Sequence, residues 1–93
     1  MIYIIYKITN LINKKIYIGF TKFSIDERFL GHVKSSKEYK INSLLHKAIK
    51  KYGEENFLIE KIYEGTDFYH TLNVMEPFYI KKFKSSAPDG YNI

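Results

Sequence analysis

Three groups of residues in this chain could do chemistry. Tyr6, in the stretch IIYKI, and Tyr17, in KKIYIGF, each sit in a short β-branched run near the start. A phenol with a pKa near 10 is a poor base at neutral pH, but beside a cation or a metal-bound water it can accept a proton. Nine tyrosines cannot all be functional, so most must serve the core or an interface. Arg28 and His32 lie four residues apart, and on a helix they project side by side. A guanidinium grips phosphate through two parallel hydrogen bonds, and an imidazole moves protons near neutral pH. The same spacing also suits a solvated helix face. Glu76 stands one turn from both Leu72 and Ile80, on the border of an apolar stripe. A half-buried carboxylate needs a positive partner, which a divalent metal, a lysine or a backbone cap could supply. His46 and His70 fall on different elements with no His-x3-His pairing, and read as structural or surface residues.

These groups need elements to hold them. Residues 2 to 9 are β-branched and aromatic and predict a strand. NLINK, residues 10 to 14, predicts a turn, and residues 15 to 20 a second strand, so the two form an antiparallel hairpin. Whether Tyr6 and Tyr17 share a face depends on a register the sequence leaves open. Gly19 weakens the second strand, and such a glycine often marks close approach of another backbone or a ligand. SIDE, residues 24 to 27, is a capping box, and Ile25, Phe29 and Val33 predict a helix running to about Ser35.

Asn42 is the candidate cap of a second helix. Leu44, Leu45, Ala48, Ile49 and Tyr52 form its buried side, Lys47, Lys50 and Lys51 its wet side, and Gly53 its end. NFLIEKIYE predicts a third strand. The last helix is expected from Thr66 or Asp67 to about Phe83, with Phe68, Leu72, Met75, Tyr79 and Phe83 as its core stripe. Pro77 interrupts it; inside a helix proline costs about 3 kcal/mol or forces a kink. The pattern therefore predicts a kink there or two shorter helices. APDGYNI closes the chain with a turn and a short tail.

The 93 residues are expected to form a single domain, residues 1–93, with 16 Tyr and Phe to build a modest core. Without cysteine there is no disulfide framework, thiol nucleophile or cysteine-ligated zinc site. No apolar run reaches the length of a membrane span, and a soluble, intracellular, cytoplasmic protein is expected. The net charge of +5 suits a polyanionic partner, and equally suits solubility alone. Of 15 cationic residues 14 are lysine, which singles out Arg28 as a place where the guanidinium fork is needed.

Six segments in order resemble the GIY-YIG nuclease family. They are IIY (4 to 6), YIG (17 to 19), DERFLGH (26 to 32), AIKKYGEENF (48 to 57), MEPFYIKKF (75 to 83) and GYN (90 to 92). Each is short, but together they span essentially the whole chain. The resemblance implies an α+β fold: a small three-stranded antiparallel sheet flanked by helices, with the two motif tyrosines facing a shared site. It implies hydrolysis of DNA phosphodiesters with one divalent metal, Mg2+ or Mn2+. Glu76 would be the sole protein ligand and Arg28 would hold the scissile phosphate. Tyr17 or Tyr6 would deprotonate the attacking water, with Tyr17 the preferred base. His32 would assist proton transfer or contact phosphate, and Asn92 would fix the site by hydrogen bonding. Gly19 would leave room for the phosphate backbone, and Lys22 would lower a tyrosine pKa. Lys47, Lys50 and Lys51 are candidate DNA contacts.

This chain departs from the family pattern in places. Ile4 stands where the family most often has glycine, and Pro77 directly follows the metal glutamate. Phe20 replaces the lysine common in the excision-repair branch, which favours the phage and intron homing branch. Homing members usually carry a separate DNA-reading module after the nuclease domain, and the chain stops at Ile93, where that domain is expected to end. A fragment and a solo domain both fit. The alternatives are a non-catalytic nucleic-acid-binding module of the same fold, a structure-specific repair nuclease, and a protein-interaction domain.

Overall fold

The computed structural model describes residues 1–93. Strands β1 (Tyr3–Asn10), β2 (Ile16–Thr21) and β3 (Phe57–Gly65) form one antiparallel sheet in the order β2-β1-β3. β1 and β2 are joined by a turn that Asn10 organises. Its buried side chain accepts from the Ile12 amide at 2.9 Å, and Lys14 adopts a left-handed φ of 68°. The register pairs Tyr6 with Gly19 and Ile8 with Tyr17. Directly paired residues share a face, so the two tyrosines lie on one side of the sheet, diagonally opposed. β3 shifts register between Ile5 and Tyr6 of its partner strand, a local bulge around Ile62.

Helix α1 (Ile25–Ser36) begins at Ser24, whose hydroxyl accepts from the Glu27 amide at 3.2 Å. Helix α2 (Leu44–Tyr52) is capped by Ser43, one residue after the expected Asn42. The Ser43 hydroxyl accepts from the His46 amide, a bond a longer side chain at 42 does not make. Both helices cover the sheet face that carries Tyr6 and Ile8. There Val33, Leu45, Ala48, Ile49, Phe57 and Tyr91 close the core. Ile4, at the family's usual glycine position, packs against this cluster.

The last helix runs through residues 68–82 in three pieces: α3 (Phe68–His70), a π-helical stretch (Thr71–Met75) and α4 (Glu76–Lys82). The Glu76 amide bonds back five residues, to the Thr71 carbonyl. Widening the turn before Pro77 accommodates a residue with no N–H to give, and α-helical structure resumes at Glu76. From Leu72 onward the expected stripe is the inward side of this helix: Leu72, Met75, Tyr79 and Phe83 are half-buried, with Glu76 and Ile80 beside them, while Asn73, Val74, Pro77 and Phe78 are exposed. The exception is Phe68, which is exposed, and the fully buried residue of the helix is Thr71.

The C-terminal residues are not a loose tail. The Tyr91 amide donates to the Ile16 carbonyl at 2.9 Å, and the Tyr91 hydroxyl accepts from the Asn10 and Asn13 side chains. A Cβ on Gly90 would collide with the Ser85 backbone and the Ile16 carbonyl, so only glycine lets the segment lie this close to β2. No helix is long and apolar enough to cross a membrane.

Candidate active site

The site assembles at the edge strand β2. The rings of Tyr6, Tyr17 and His32 stand as a triangle, with centroids 6.2 Å apart for the two tyrosines, 6.0 Å for Tyr6 and His32, and 5.6 Å for Tyr17 and His32. Tyr6 is fully buried, and its hydroxyl lies 2.8 Å from His32 Nε2. Tyr17 is only partly covered, so of the two phenols it is the one that water can reach. Burial pushes both phenols above the ordinary tyrosine range, and the neighbouring Arg28 guanidinium pulls both back down.

Gly19 has a different reason from the one expected. The Tyr6 ring lies across it, and a Cβ there would fall inside the phenol. The space a glycine provides is taken by Tyr6 and not by a phosphate backbone. The motif glycine and the motif tyrosine are thus one packing unit, paired across two strands.

Of the two roles expected for His32, proton transfer or phosphate contact, its surroundings remove the second. His32 is 3% exposed, and both ring nitrogens are engaged, Nε2 with Tyr6 and Nδ1 with His46 Nε2 at 2.8 Å. It therefore acts on Tyr6 and does not reach a phosphate. Burial, with Arg28 and His46 nearby, lowers its pKa to about 3, so it is neutral at physiological pH. A neutral imidazole relays a hydrogen bond between its two nitrogens, since one donates and the other accepts. His46, Tyr6 and His32 form a continuous chain from α2 to β1.

His46 is the participant that the sequence conceals. It lies 14 positions from His32 on another helix, and only the packing of α1 on α2 brings the rings to a centroid separation of 5.0 Å. Its sole signal in the chain is its place beside Leu45, next to the buried side of α2. His70, by contrast, is exposed.

Glu76 enters from α4, which packs along β2. Its negative charge raises the pKa of both phenols, so it stands within electrostatic reach of them. The carboxylate is half-buried, joins no ion pair and accepts no side-chain hydrogen bond; desolvation raises its own pKa. Neither the lysine nor the backbone cap considered for it is present. A half-buried carboxylate in no ion pair fits a hard divalent cation, and a guanidinium in no ion pair near the same two phenols fits a phosphate anion. No cluster of three or more His, Asp or Glu side chains surrounds it, so other oxygens would complete a metal's shell.

Asn92 stands behind the site. Its Oδ1 accepts from the Ile18 amide and its Nδ2 donates to the Ile18 carbonyl, both at 2.8 Å. The cation beside the phenols is Arg28. Lys22 instead extends over the Phe23 ring at 5.8 Å from its centroid, and no shift of either tyrosine is due to it. Lys47, Lys50 and Lys51 are exposed on α2. Lys50 borders a cleft of about 430 Å³ that also holds Glu54 and Glu55 and none of the residues gathered at β2.

Residues 2–92 match the GIY-YIG catalytic domain. This chain belongs to the GIY-YIG family. Within that family it is 37% identical over 94 residues to segB and 46% identical over 92 residues to segD, two Enterobacteria phage T4 proteins assigned as endonucleases. Those alignments take in 100% and 99% of this chain but 38% and 37% of the relatives, so the chain spans little more than a third of their length. Its GIY-YIG fold superposes on the catalytic domain of the homing endonuclease I-TevI with a TM-score of 0.82 and 28% identity, over 98% of this chain and 97% of that one. A mutant form of the same domain gives the same score at 27% identity, over 99% and 93%. The three-stranded sheet flanked by helices is thus the GIY-YIG architecture, and its relatives lie in the phage and intron homing branch.

Proposed function

We propose that this domain is the catalytic part of a DNA endonuclease that hydrolyses phosphodiester bonds with one divalent metal, Mg2+ or Mn2+. The observation that carries this is the convergence at β2 of two phenols, one guanidinium and one unpaired, half-buried carboxylate.

Glu76 is the residue that would hold the cation, whose chemistry when bound is to stabilise negative charge on the oxygen leaving phosphorus. Arg28 grips the scissile phosphate and offsets the charge that grows on it in the transition state. Tyr17, the accessible phenol, takes the proton of the attacking water. Its proton affinity is high because it is buried, so it is a strong base once ionised, and Arg28 makes that ionisation less costly. Tyr6 orients Tyr17 from behind and is itself oriented by His32. The lysines of α2 supply phosphate contacts that carry no sequence information. Target choice would belong to a separate DNA-reading module.

The test is cleavage of supercoiled plasmid and short duplexes in Mg2+ or EDTA, with Glu76→Ala and Arg28→Ala alongside. Cleavage that vanishes in EDTA and in both variants is expected. Salt-sensitive binding without cleavage, unaltered by Glu76→Ala, would overturn the assignment and leave a binding module.

A further inference from the structure

Arg28 also borders a cleft of about 310 Å³ whose phenyl rings have no part in the phosphate chemistry. It is lined by Phe20, Thr21, Lys22, Phe23, Arg28 and Phe68, so three of its six walls are phenyl rings and two are cations. Phe23 is 55% exposed and Phe68 is 43% exposed. Apolar rings left this open are costly to solvate and add little to the core.

The rings are held in place. Phe68 meets Tyr3 and Phe20 edge to face, with centroids 5.5 and 5.7 Å away and interplanar angles of 73° and 88°. Phe20 in turn stacks on Tyr3 at 5.8 Å. The Phe23 backbone is fixed by its amide, which donates to Thr21 Oγ1 at 3.0 Å.

We propose that this cleft receives an unpaired nucleobase of the DNA strand whose phosphate sits at Arg28. Arg28 lines both places, so a strand gripped by its phosphate there has its neighbouring base at the mouth of the cleft. Phenyl rings offer every base a stacking face and no hydrogen-bond code, while Lys22 and Arg28 complement the flanking phosphates. A base can enter only if it leaves its own stack, which is least costly in single strands, mismatches and branches. The cleft therefore selects DNA by local unpairing and not by sequence. This deepens the nuclease assignment and rests on it for the position of the scissile phosphate.

Phe23→Trp places the chain's first tryptophan in the cleft, since the natural sequence has none. Its emission is followed in EDTA, which prevents cleavage, as oligothymidylate, an abasic oligomer of equal length and a matched duplex are added. Quenching by oligothymidylate, and not by the abasic oligomer, is expected. Phe23→Ala and Phe68→Ala should each weaken oligothymidylate binding roughly 5- to 150-fold, the loss of one stacked ring. Both residues are open to solvent, so both variants should fold, and unchanged melting checks this. Equal affinity and equal quenching by the abasic oligomer would overturn the proposal, because the cations alone would then account for binding. So would unchanged affinity in both alanine variants, which would assign the rings to another partner. Base-dependent quenching in a protein that never cuts DNA in Mg2+ would support the cleft while removing the nuclease assignment.

Discussion

Asn92 holds Ile18 by both ends of its amide, accepting from the backbone N–H and donating to the backbone C=O at 2.8 Å each. Ile18 lies between Tyr17 and Gly19 on a strand at the sheet's edge, where those two groups have no neighbouring strand to bond. A side chain from the far end of the chain thus replaces the missing strand at one point. The Ser85 hydroxyl donates to the same Oδ1 at 2.6 Å, which orients the amide.

Asn92→Ala should therefore cost about 1–3 kcal/mol of stability, the range for leaving such backbone groups unsatisfied. Asn92→Asp should fare no better, since a carboxylate cannot donate to the Ile18 carbonyl. Denaturant melts give the energy, and amide exchange at Ile18 should accelerate more than exchange in β1.

Gly19 and Tyr6 should be strongly coupled. Gly19→Ala pushes a methyl into the Tyr6 ring and is expected to cost about 1–3 kcal/mol. Tyr6→Leu vacates that space. In a double-mutant cycle the pair should be less unstable than the two single costs added, while cleavage stays lost. Simple additivity would show that the two positions do not share the space.

His46 should matter for turnover and little for binding. His46→Leu leaves His32 Nδ1 without a partner, and kcat should fall roughly 10- to 100-fold, as when partners orienting a functional histidine are removed, with KM unchanged. His46→Gln keeps a polar group and should recover much of the loss. Equal losses in both variants, tracking a lowered Tm, would mark His46 as structural only.

Acid should unfold the protein through its histidines. His32 is held neutral with a pKa of about 3, against an ordinary 6.5, and the pKa of His46 is also lowered by burial. Above pH 6.5 neither the folded nor the unfolded chain protonates them, and stability is undiminished. As pH falls from 6.5 towards 3 the unfolded chain takes up protons the folded one refuses. Stability then falls by up to about 1.4 kcal/mol per pH unit for His32. Phe at position 32 should flatten this slope, as measured by urea melts across the range.

Cleavage should rise with pH, by up to about tenfold per unit, through the neutral range. The base must lose its proton, and burial pushes the Tyr17 phenol upward. Tyr17→Phe should abolish the rise. If Tyr6→Phe abolishes it and Tyr17→Phe leaves it intact, the roles of the two phenols are exchanged.

Local sequence signals were enough to place the three strands, α1, α2 and the span of the last helix within a few residues, because alternation, capping serines and Gly53 act locally. Residue type and order made Tyr6, Tyr17, Arg28 and Glu76 candidates, and the resemblance to the GIY-YIG family gave them their expected roles. Other features needed chain segments far apart to meet. The shared face of the two tyrosines came from a hairpin register, and the reason for Gly19 from a ring on the neighbouring strand. His46 became a partner of His32 only when two helices packed. The last helix opened into a widened turn at Thr71–Met75 ahead of Pro77, and Asn92 reached Ile18 across 74 positions. Local preferences act over one or two turns of chain. Register, burial and hydrogen bonding between distant residues are settled by packing, which no short window of sequence contains.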